Sequence, residues 1–174
     1  MLKMIGLAVL LIVAVILVIP AFRPDTFRVQ RSATMKAPPE KIAAILTDFH
    51  GWAAWSPWEK MDPAMQRTFG GAPKGKGATY AWVGNDKVGQ GSMAITDATP
   101  SRVALDLDFV RPFEAHNKVE FALAGKGEAT EVTWSMAGPV PYFFRLFHLV
   151  MDMDKMVGKD FEAGLANLKT VVER

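Results

Sequence analysis

The chain of 174 residues has no cysteine, three histidines and two tyrosines. Without Cys there can be no disulfide, thiolate zinc site, iron–sulfur cluster or Cys nucleophile, although a Cys-free chain suits either redox compartment. The three histidines, His50, His116 and His148, have no zinc-pair spacing, and H-E-x-x-H is absent. No metal and no cofactor are therefore expected. Charge of one sign is also missing: 20 basic against 18 acidic residues leave +2, with no basic stripe. No nucleic-acid partner is expected on that balance. There is no G-x-S-x-G. Gly70–Gly77 fits G-x4-G-K, but Gly77 stands where a magnesium-binding hydroxyl is needed. The segment after it, Ala78-Thr-Tyr-Ala-Trp, reads as a strand, whereas a phosphate loop opens a helix. A plain loop between strands is the better reading.

What is present is unevenly distributed. Nineteen of the first 22 residues are apolar. Met4–Phe22 carries no charge over 19 residues and would span roughly 28 Å as a helix, about the thickness of a bilayer core. It has no polar face to mark it as a core helix. The run exceeds a signal-peptide core of about 7–15 residues and no A-x-A site follows, so an uncleaved single-pass anchor over 1–24 is expected. The Lys and Arg count after the span (Arg23, Arg28, Arg31, Lys36) favours the following domain inside. The short tail and long apolar run look instead like a signal anchor that exports it, and the side stays open.

Residues 25–174 read as one soluble domain. Phe27–Met35 alternates as a first strand, and Ala37-Pro-Pro-Glu40 opens a helix with apolar positions Ile42, Ile45, Leu46 and Phe49. Trp52, Trp55 and Trp58 follow. Six further strands are predicted at 66–69, 78–83, 88–97, 102–110, 115–124 and 129–137, joined by connections too short for crossovers, hence antiparallel. Their alternation turns Val103, Leu105, Leu107 and Phe109 to one face against Arg102, Asp106 and Asp108. It does the same with Val119, Phe121 and Leu123 against His116, Lys118 and Glu120, and with Val132, Trp134 and Met136 against Glu131, Thr133 and Ser135. One helix is expected from about Tyr142 to Val172, with Leu146, Val150, Met153, Val157, Phe161, Leu165, Leu168 and Val172 in a stripe. Gly158 and Gly164 within it suggest close approach of backbone or ligand. The carboxylates Asp152, Asp154, Asp160 and Glu162, interleaved with Lys155 and Lys159, read as a solvated face with local ion pairs.

The passages Val29-x-Arg31-Ser32…Ala37-Pro-Pro-Glu40, Asp48-Phe49…Trp52-x-x-Trp55-Ser-Pro-Trp58, Trp82-x-Gly84-Asn85…Val88-Gly-x-Gly91 and Met156–Lys169 resemble the START-like (SRPBCC) superfamily. That superfamily includes polyketide cyclases, pollen allergens and lipid-transfer domains. The likeness covers about 27–174. It implies an α+β helix-grip fold, a curved seven-stranded antiparallel sheet wrapped round a long C-terminal helix, with a hydrophobic cavity between them. It carries over no activity.

The candidate ligand-binding residues are Trp55, Trp58, Tyr80, Trp82, Leu105, Leu107, Phe109, Phe121, Trp134, Met136, Met153 and Val157. Tyr80 and Trp82 share one parity and could offer a phenol O–H and an indole N–H. Trp52, Trp55 and Trp58 either plug one end of the fold or wall a cavity. The favoured function is membrane-tethered binding or transport of a hydrophobic small molecule or lipid. A cyclase or dehydratase in the same cavity, and a dry interaction module, remain alternatives.

Overall fold

The computed structural model describes residues 2–147 and 152–174. Helix α1 (Leu2–Val18) continues into a 3₁₀ turn at Ile19–Phe22, where Pro20 sits in the first turn and gives up no needed donor. Then come β1 (Thr26–Met35) and α2 (Pro39–Leu46), the latter with Pro at its start and Glu40 at the positive end of its dipole. Two 3₁₀ turns, Phe49–Ala54 and Trp58–Lys60, carry the Trp-rich segment. The meander follows: β2 (Gln66–Gly71), β3 (Ala78–Val83), β4 (Gln90–Thr99), β5 (Arg102–Arg111), β6 (Ala115–Lys126) and β7 (Ala129–Pro139). A short α3 (Phe144–Phe147) and the closing α4 (Met153–Val172) complete the chain.

All seven strands form one antiparallel sheet in the order β1-β7-β6-β5-β4-β3-β2. The expected alternation is realised. Val103, Leu105, Val119, Phe121, Leu123, Val132, Trp134 and Met136 are buried on the inner face, under Phe161, Leu165, Leu168 and Val172 of α4. On the outer face Asp106 accepts from Lys118 at 2.7 Å and Asp108 lies 2.7 Å from exposed His116. The Asp108 carboxylate, with Glu114 behind it, raises the His116 pKa. The glycine-rich stretch before β3 is the end of β2 and a loop, with Gly71, Gly75 and Gly77 at positive φ, where residues with a Cβ are strained.

The single helix expected over 142–172 is not formed. The Asp152 side chain accepts from the Lys155 backbone N–H at 3.1 Å and caps a new start, so α4 runs about 30 Å instead of about 45 Å. Leu146 belongs to α3; His148 and Val150 lie outside the described residues. The carboxylates of α4 also do more than pair locally. Arg31, inward on β1, donates to Asp154 at 2.9 Å and to Glu162 at 2.7 Å and lies against Gly158, where a Cβ would collide with its guanidinium. Both carboxylates raise the Arg31 pKa, and Asp154 is held below the usual aspartate range. At the far end Lys169 donates to the Thr34 carbonyl at 2.9 Å and Lys41 to the Val172 carbonyl at 2.6 Å. The helix is thus fastened along the edge strand.

Candidate functional site

The inner face divides into a packed half and a half-open half. In the packed half, Trp134 stacks on Phe161 with centroids 4.1 Å apart and nearly parallel planes. Trp55, fully buried, meets Trp52 at 4.8 Å, Trp134 at 5.6 Å and Phe121 at 6.1 Å, the last edge-on. Trp58, half-buried, approaches Trp134 at 5.7 Å. Rings in this range attract through their quadrupoles beyond simple burial. Gly164 makes the stack possible: a Cβ there would stand 2.7 Å from the Trp134 ring and 3.2 Å from Pro57. The close approach suggested by Gly158 and Gly164 is therefore made by Arg31 and by Trp134. Trp55, Phe121 and Trp134, with Leu105 beside them, form a plug of touching rings.

The other half lies at the end of the sheet where β1 begins. Here the inward row Phe27, Leu107 and Met93 is only half-buried, as is Phe109 on the next row. Met136 forms its buried floor toward the plug. From α4, Val157 and Met153 are half-buried and Met156 is exposed. Hydrogen-bonded strands floor this half-buried apolar row, the bay. Within its floor Asn117 is 6% exposed, on the inward parity of β6 opposite Leu107. Its Oδ1 has no hydrogen-bond partner among the described residues. The amide rests over Gly138, where any Cβ would collide with it.

Tyr80 and Trp82 are buried with the expected shared parity, but their polar tips are not free for a ligand. The Tyr80 hydroxyl donates to Glu59 at 2.6 Å, and Trp82 Nε1 donates to the Val88 carbonyl at 2.9 Å. Arg67 donates from Nε to the other Glu59 oxygen at 2.7 Å. Burial, then Glu59, push the Tyr80 hydroxyl well above the usual phenol range, and Glu59 raises Arg67. Among the described residues, the buried indole N–H groups without a partner are those of Trp55 and Trp134. Both sit inside the plug, enclosed by ring faces.

The bay lies beside the apolar N-terminal helix and its 3₁₀ turn. Tyr142 donates to the Leu17 carbonyl at 2.5 Å and Arg145 to the Pro20 carbonyl at 3.4 Å. Phe113, in the β5–β6 turn, touches Phe144 edge-on at 5.1 Å. Around this end Phe113 is 62% exposed and Phe143 69%, with Val110 and Phe22 also exposed. Three features were not singled out from the sequence: Asn117, whose inward parity alone does not mark it, Glu59 and the Phe113 turn. A separate surface pocket of about 220 Å³ lies between the first Trp-bearing turn and β2, lined by Phe49, His50, Phe69 and Thr79. Among the described residues no three His, Asp or Glu side chains converge to hold a metal.

Residues 26–173 match the family described as polyketide cyclase / dehydrase and lipid transport. The chain belongs to that family. The match spans every strand and the closing helix. Among solved structures, the Zhui aromatase/cyclase from Streptomyces sp. R1128 aligns with a TM-score of 0.62 at 15% identity, over 86% of this chain and 94% of that one. Protein CV1439 from Chromobacterium violaceum gives 0.59 at 15% identity, covering 87% and 99%. The Aha1 dimer from Colwellia psychrerythraea gives 0.59 at 18% identity, covering 84% and 96%. At these identities the structural likeness shows the shared helix-grip fold alone. No curated protein sequence matches significantly. The apolar helix Met4–Phe22 lies ahead of the family region and is long and apolar enough to cross a membrane.

Proposed function

We propose that this protein binds a hydrophobic small molecule or lipid in the bay between the sheet and α4, held at a bilayer by residues 1–24. The observation that carries this reading is the position of the half-buried inward row. Phe27, Leu107, Met93 and Phe109 lie at the end of the sheet that the apolar helix enters, and exposed Phe113 and Phe143 stand at the same end. An apolar surface of that kind marks a ligand or membrane contact. An anchor there brings the mouth of the bay to the headgroup level, where a lipid can pass without crossing water. In this reading Leu107, Phe109, Met136, Met153 and Val157 line the ligand. Trp55, Trp58, Leu105, Phe121 and Trp134 close the far end, and Tyr80 and Trp82 brace its side.

Binding is favoured over catalysis because catalysis needs titratable groups turned toward substrate. Glu59, Tyr80 and Arg67 are committed to one another, as are Arg31, Asp154 and Glu162. The test is native mass spectrometry of the full-length chain after gentle detergent extraction, beside Val157→Trp. The wild type is expected to carry an apolar adduct. The variant fills the bay and should lose that adduct while melting within a few degrees of the wild type. An empty wild type, or a variant that melts far lower because Val157 sits in a filled core, would end this reading.

A further inference from the structure

We propose that Asn117 selects the ligand: its side-chain oxygen accepts a hydrogen bond from the hydroxyl of an otherwise apolar, uncharged molecule seated in the bay. The inference rests on the binding reading above and names the chemistry it takes. A buried amide oxygen with no donor is disfavoured in a folded chain, because it has left water and gained nothing. Asn117 is in that position at the centre of an inward row whose other members are Phe27, Gly138, Leu107 and Met93. Gly138 gives the amide its room, so the arrangement takes two residues and not one. The oxygen is turned toward Gly138 and the ring edge of Phe27, so the missing donor has to come from the space over those two residues, where Phe27 is only half-buried.

The surroundings decide the charge of the ligand. Among the described residues no cation stands on the inward rows around Asn117. Arg31, the inward cation of β1, is taken up by Asp154 and Glu162. Asp160, half-buried one helical turn beyond Val157, adds a carboxylate on that side. A carboxylate or phosphate would meet acceptors and no counter-charge, whereas a hydroxyl needs only the acceptor that Asn117 supplies.

Three ligands of one shape separate the possibilities: 2-naphthol, 2-methoxynaphthalene and 2-naphthoate. They are titrated calorimetrically into the full-length chain in phosphatidylcholine nanodiscs, with empty discs subtracted. The wild type should prefer the naphthol over its methyl ether by about fivefold, the worth of one neutral hydrogen bond. It should bind the naphthoate no better than the ether. Asn117→Leu should erase the preference and keep the ether affinity. That variant is expected to fold, since replacing an unpartnered buried amide by an apolar group of similar shape is neutral or stabilising. Equal affinity for naphthol and ether in the wild type, or a preference that survives in Asn117→Leu, overturns the role of Asn117 and leaves the bay standing. If none of the three binds the wild type, the binding reading fails and this proposal goes with it.

Discussion

Gly164→Ala tests the packed half of the interior. In an exposed helix the change would be favourable by about 1 kcal/mol, because Gly leaves backbone freedom to be lost on folding. At position 164 the added carbon would meet the Trp134 ring at 2.7 Å and Pro57 Cδ at 3.2 Å. Neither neighbour can give way cheaply. Trp134 is stacked on Phe161 at 4.1 Å and faced by Trp55 and Trp58, and Pro57 is a buried ring. Inserting one methyl into such packing costs about 1–3 kcal/mol, and two rigid neighbours place it in the upper part of that range. The net effect is a loss of about 1–2 kcal/mol, which lowers the melting temperature of a domain this size by about 2–8 °C. The assay is thermal melting followed by near-UV circular dichroism, which reports the indole environment directly. A variant that melts at or above the wild type would show that Trp134 can move aside, and the plug would then be looser than its ring distances say.

Two further outcomes follow from the charged groups. Glu59→Gln removes the carboxylate that accepts from Tyr80 and Arg67, so stability should fall by about 2 kcal/mol, discounted because Arg67 is partly solvated. The phenol titration of Tyr80 should also move down toward the ordinary range, read by ultraviolet absorbance; an unmoved titration would refute the pairing. Asp160 is pushed above the usual aspartate range by burial, so the folded state carries its charge at a penalty at neutral pH. Asp160→Asn should therefore raise the melting temperature at pH 7. The gain should shrink as pH falls through the folded pKa and vanish below the ordinary aspartate value of 3.8, where both states are protonated. A gain that persists at low pH would count against burial as the cause.

Strand parity was the most legible part of the fold, because a period of two in β5, β6 and β7 leaves a single way to bury Leu105, Phe121 and Trp134. The same alternation puts Asn117 among the inward residues. Its significance depends on Gly138 one strand away and on a missing donor, and neither can be read along one strand. Tyr80 and Trp82 have the expected parity, yet their partners, Glu59 and the Val88 carbonyl, come from loops whose course no periodicity describes. The break before α4 escaped because the apolar stripe continues through it: the capping by Asp152 is a local hydrogen bond, and the helical period does not register it. Arg31 reads in sequence as a polar interruption of β1. Its meaning appears once α4 lies over it with Gly158 at the crossing.

The strand order also governs how the chain is made. Strand β1 follows the apolar helix directly, so it leaves the ribosome early, yet among the described residues its strand partner is β7, with Thr26 opposite Pro139 more than a hundred residues later. The helix that clasps its inner side, α4, is made later still, after β7. The meander from β2 to β7 can pair strand by strand as it emerges, through short loops of low closure entropy. The first strand must wait, with ten residues of unpaired edge, for β7 and α4. Removing α4 would therefore unmake the beginning of the domain, and β1 finds its place only once β7 and α4 have been made.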